Sequence, residues 1–223
     1  MRASAVRLVG NFGKTLAAEH SHSLEGVVHF VLSSLVVEGA AEHAAIAFRS
    51  LCVHAKRQLG RQETVLALLR VCEPALSNIE LTAELRIALA EGLARLVAEL
   101  PSRDDQARLA LTELLRTPCT LLQNALQHGA TAGEAGVGAW RRQSAENVAT
   151  QVALVGAAIR FCDRYNVDVP GAAANVNPVL PVMQSGVWDL LLQVFTAPDW
   201  DCVCLRLIAP ACACLLLLAS DCV

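Results

Sequence analysis

Residues 81–100, LTAELRIALAEGLARLVAEL, decide how the rest of the chain is read. Leu81, Leu85, Leu89, Leu93, Leu96, Val97 and Leu100 recur at steps of three and four, which places one apolar stripe along a helix. Glu84, Arg86, Glu91, Arg95 and Glu99 fall mostly off that stripe, where water is expected to reach them. Asn78 is the expected cap and Pro101 the stop. Ser102 then opens a return helix, with Asp105 three residues on as a short relative of a capping box. A helix, a tight turn and an antiparallel helix make a helical hairpin, and the same unit recurs on either side.

Upstream, the pattern predicts helices over residues 2–19 (Val6, Leu8, Val9, Phe12 and Leu16 inward), 24–37 (capped by Ser21 or Ser23), 40–59 (stopped at Gly60) and 62–72 (ending before Pro74). Downstream it predicts the return helix with a kink at Pro118, then helices over 140–165, 179–195 and 199–220. Two stretches, 128–139 and 166–178, are Gly- and Ala-rich without periodicity and read as exposed flexible insertions in a single domain spanning 1–223. No segment alternates with period two for long enough to argue a sheet. Outer helices starting near 40 and 79 are about 39 residues apart, inside the range of HEAT and armadillo repeats. The expected fold is therefore all-α, a HEAT/armadillo-like α-solenoid of about four to five helical hairpins, with a compact bundle as the alternative.

Residues 207–219, LIAPACACLLLLA, are almost wholly apolar. A solenoid needs a polar-faced cap at each end, so an uncapped helix over 199–220 implies a segment of a longer array. The other reading is a membrane anchor, but the run is about 13 residues against roughly 20 for a bilayer span.

Composition narrows the function classes. The chain has 223 residues, 54% hydrophobic and 17% charged, with a net charge of −3. No basic field invites direct nucleic-acid binding. Nine cysteines in a long helix-patterned chain fit a reducing compartment, where most act as small buried hydrophobes. Cys202/Cys204 and Cys212/Cys214 are two apart, so on a helix each pair diverges by about 200° and cannot hold one metal ion together. His20, His22, His29, His43 and His54 have no metal-ligand spacing and read as solvated or locally bonded. There is no nucleophile elbow, and the glycines at 133, 136 and 138 follow no strand, so no phosphate cradle forms. The expectation is a protein without catalytic residues, metal or cofactor.

What remains is surface. If the even-numbered helices line a groove, Arg61, Arg70, Arg108 and Arg116 are its basic members and candidate partner contacts. Arg108 and Arg116 lie eight apart, on similar azimuths, and suit an acidic or phosphorylated partner.

The segments RLVGNFGKTL (7–16), LEGVVHFVLSSLV (24–36), AAIAFRSLCVHAKRQL (44–59), ETVLALLRVC (63–72) and ELRIALAEGLARLVAELP (84–101) resemble consecutive HEAT repeats of the importin-β superfamily, the karyopherins. ENVATQVALVGAAIRF (146–161) and VWDLLLQVFTAPD (187–199) are compatible with the repeats that follow. Within the superfamily the likeness is to the transportin-SR and importin-thirteen branch, and it covers most of residues 5–200 as repeat pattern. The resemblance implies a carrier moving between cytoplasm and nucleus. Its implied partners are protein cargo, including arginine–serine-rich splicing factors, the GTPase Ran, and nucleoporins. Transportin-SR reads phosphorylated cargo with an arginine-rich helix, which here corresponds to 199–218. Only Arg206 falls in place there, with Asp201 and Val203 where further arginines are expected.

Overall fold

The structure is a computed structural model that describes residues 1–100, 105–129, 137–162 and 178–196. Every regular element among the described residues is helical, so the chain is all-α. In order these are α1 (Arg2–Asn11), α2 (Gly13–Glu19), a 3-10 turn (Ser21–Ser23), α3 (Leu24–Leu32), α4 (Ala41–His54), α5 (Lys56–Leu59) and α6 (Gln62–Ser77). There follow α7 (Ala83–Val97), α8 (Gln106–Gly129), α9 (Val137–Cys162), α10 (Val179–Val182), a π turn (Met183–Val187) and α11 (Trp188–Thr196).

The stretch 81–100 forms α7, and it carries more than one apolar stripe. Leu85, Ala88, Leu89, Ala90, Leu93, Ala94, Leu96 and Val97 are all buried, as is Gly92. The small residues between the leucines let neighbours approach on several sides. α4 packs on one flank, α9 on the other, and α6 and α8 complete the surround. Arg86, expected in water, is 2% exposed. Thr82 is the cap, its Oγ1 accepting from the Leu85 N–H at 3.4 Å. Asn78 accepts from the Glu80 N–H at 3.0 Å instead, closing the turn that precedes the helix.

Contacts proceed in chain order. α1 packs on α4, α4 on α7 and α7 on α9, while α6 packs on α8 and α8 on α10 and α11. α3 lies against α4, α6 against α7, and α8 against α9. Glycines permit the closest of these approaches. A Cβ on Gly92 would stand 3.3 Å from the Arg49 Cα, and one on Gly10 would stand 3.2 Å from the Ala47 Cα. The seam between α4 and α7 buries Phe48, Leu51, Leu89 and Leu93 completely. Each such side chain contributes roughly 1.5–3 kcal/mol. At the rim of that seam Arg49 pairs with Glu91 (3.1 Å) and Lys56 with Glu99 (2.6 Å). Both pairs are solvated and add little. On the far side of α7 the Arg95 guanidinium lies 4.0 Å from the Phe161 ring centroid, a cation–π contact to α9.

Several boundaries differ from the sequence reading. The first helix breaks at Phe12, where the Ser50 hydroxyl of α4 donates to the Gly10 carbonyl at 2.8 Å. Of its expected inner face only Val6 is fully buried, and Leu8 and Phe12 point outward. α3 stops at Leu32 because the Ser33 and Ser34 hydroxyls turn back onto the Phe30 carbonyl (2.9 and 2.7 Å). Ser23 occupies the N-cap position without a side-chain cap bond. The 40–59 helix is two pieces that meet at Ala55.

α6 runs through Pro74 to Ser77 instead of ending before it. Proline removes one ladder bond, and here the last turn gains replacements. Ser77 Oγ donates to the Pro74 carbonyl (3.1 Å) and Arg86 Nε to the Leu76 carbonyl (2.9 Å). α8 likewise continues through Pro118. Both ends of the 128–139 stretch are helical, since α8 reaches Gly129 and α9 begins at Val137. A glycine costs a helix only about 1 kcal/mol, which the packing of two long helices outweighs. The 179–195 helix is divided by the π turn, where Gly186 adopts φ 119°. The 166–178 insertion, apart from Pro178, and the 199–220 helix lie outside the described residues.

Candidate functional site

Among the described residues a trough of about 890 Å³ lies between α3 and α6. Its α6 wall presents Thr64, Ala67, Leu68 and Val71, and its α3 wall presents Leu24, Val28 and Leu32. These spacings put one apolar ridge on each helix, facing across a gap. The α6–α8 pair packs together closely, so the α3–α6 gap is an opening within an otherwise packed group of helices. Gln58, at one end of the trough, donates from Nε2 to the Ala17 carbonyl at 3.1 Å. That bond ties the chain leading into α6 to the end of α2. Glu25, Arg61 and Glu63 are among the trough's charged lining residues.

The predicted arginines divide into three groups. Arg61 lines the trough, and Arg70 is exposed on α6; neither forms an ion pair among the described residues. Arg108 and Arg116 are both exposed on α8, but each is already held by carboxylates. Arg108 makes a two-pronged contact with Asp105, Nε to Oδ1 at 3.2 Å and Nη2 to Oδ2 at 3.1 Å. This contact holds the Asp105 carboxyl below the usual range and raises the Arg108 guanidinium. It also engages the carboxylate expected to serve a capping box, and Asp105 itself adopts φ 55°. Arg116 reaches Glu113 at 2.8 Å and Glu73 of α6 at 3.3 Å. Arg116 thus ties α8 to α6, while Arg108 closes on Asp105 at the start of its own helix. Arg206 lies outside the described residues.

Cys52, Cys72 and Cys119 are free thiols and, like Cys162, lie within helices. Burial pushes Cys72 up to about 12 and Cys119 up to about 11. Cys52 is raised well above its ordinary value, first by burial and then by the neighbouring Cys72. Cys162 donates its S–H to the Ala94 carbonyl at 3.5 Å. Thiols held protonated in this way are poor nucleophiles and poor ligands. His20, His22, His29 and His54 are exposed, with the His20 and His22 rings edge-to-face at 6.1 Å. Among the described residues no three His, Cys, Asp or Glu side chains gather in a way that could hold a metal ion.

Sequence reasoning missed two features. The first is Arg86, whose burial lowers its pKa and whose Nη2 has no hydrogen-bond partner. The second is the trough, since nothing in the pattern of α3 or α6 says that the two stand apart. A usable signal for the first was the flanking composition, as Ile87, Ala88 and Ala90 leave no polar side around Arg86. No family model matches the chain, and no curated protein matches it.

Proposed function

We propose that this chain is a segment of a HEAT/armadillo-type α-solenoid that works as a non-catalytic protein-binding scaffold. Through its resemblance to the importin-β superfamily, we assign it to a nuclear transport receptor that carries protein cargo. The observation that carries the reading is the order of packing. α1, α4, α7 and α9 each cover the next, α6, α8 and α11 do the same, and α7 is buried on both flanks. That succession is what neighbouring hairpins produce when each hides the apolar side of the one before. A trough walled by two apolar ridges suits a helical peptide of a partner better than a small polar substrate. Cargo, Ran and nucleoporins are the partners of this reading, and cytoplasm and nucleus its compartments.

Two measurements test it. Small-angle scattering distinguishes the architectures, since a compact chain of this length has a radius of gyration of about 17 Å. A stacked array is longer, and a value at the compact limit removes the solenoid. Capture with GTP-loaded Ran and arginine–serine-rich splicing factors tests transport. Recovery of neither moves the chain to a helical-repeat scaffold of another assembly.

A membrane-anchored helical protein is the second reading. Val179–Thr196 is long and apolar enough by composition to cross a bilayer, with mean hydropathy 1.2. Yet Leu190, Leu191 and Val194 are buried, α11 packs on α8, and the stretch is bent at Gly186. Carbonate extraction decides between the two, an anchored protein staying with the membrane.

A further inference from the structure

We draw no further inference here: the strongest candidate, the apolar trough between α3 and α6 walled by Leu24, Val28, Ala67, Leu68 and Val71, carries nothing beyond the docking role already proposed, because nothing in the structure shows what covers it.

Discussion

Replacing Gly92 by alanine measures how closely α4 and α7 approach. The new Cβ would stand 3.3 Å from the Arg49 Cα, the Cys52 Sγ and the Phe48 Cδ1. Alanine gains about 1 kcal/mol over glycine inside a helix. Against this, three contacts tighter than ordinary van der Waals distance force the seam to open by a few tenths of an ångström, and overpacking costs about 1–3 kcal/mol. The balance for Gly92→Ala is a stability unchanged or lowered by up to about 2 kcal/mol. Gly26→Ala in α3 is the control, because nothing lies within 4 Å of its Cβ. There the propensity gain stands alone, and the protein is expected to be stabilised by about 0.5–1 kcal/mol. Urea titration of both variants gives the difference, read from midpoints at a common slope. Gly92→Leu extends the series and is expected to lose more than Gly92→Ala. If Gly92→Ala stabilises as much as Gly26→Ala, the two helices do not meet at this distance, and the double-flanked placement of α7 fails with it.

Arg86→Ala leaves the Leu76 carbonyl without its donor and opens a cavity, at an expected cost of about 3 kcal/mol. Arg86→Met keeps the volume and removes a buried guanidinium nitrogen that has no partner, so thermal melts are expected to show it losing less than half as much. Equal losses would mean that the charge itself is required. Site-resolved alkylation of the native protein is expected to label half-buried Cys119 ahead of buried Cys52 and Cys72, all three gaining reactivity on unfolding. Equal native rates for Cys52 and Cys119 would contradict the α4 packing. The Asp105 carboxyl is expected to titrate below its ordinary value by NMR and to return to it in Arg108→Gln. A depressed carboxylate contributes stability that is present above its unfolded pKa and lost as pH falls through the folded one, so this small contribution disappears on acidification below about pH 4.

Much of the helical layout was legible because it is local. Apolar steps of three and four place most of the helices, and Gly60 ends the segment before α6 as expected. Ala44, Ala47, Phe48, Leu51, Cys52 and Ala55, which the spacing puts on one side of the 40–59 stretch, are all buried. At two of the boundaries where the reading slipped, a group distant in sequence had intervened. Ser50 breaks the first helix at Phe12, and Arg86 helps carry α6 past Pro74 to Ser77. Prolines and serines show what a backbone tends to do by itself, and a donor some forty or ten residues away is not part of that record.

The candidate site follows the same division. The sequence placed arginines on the helices after Gly60 and Asp105, and they are there. The pairs Arg108–Asp105 and Arg116–Glu113 are i,i+3 neighbours, but only tertiary contacts decided that Arg116 also meets Glu73 and that Arg61 lines an open trough. By itself the sequence determined that the chain is helical and which residues are apolar, because periodicity registers how much of each helix avoids water. Tertiary structure alone decided which neighbour covers each apolar face: why Arg86 is buried and why α3 and α6 stand apart. Those outcomes depend on how pairs of helices fit across long separations in the chain, and a helix's own pattern does not specify its partner.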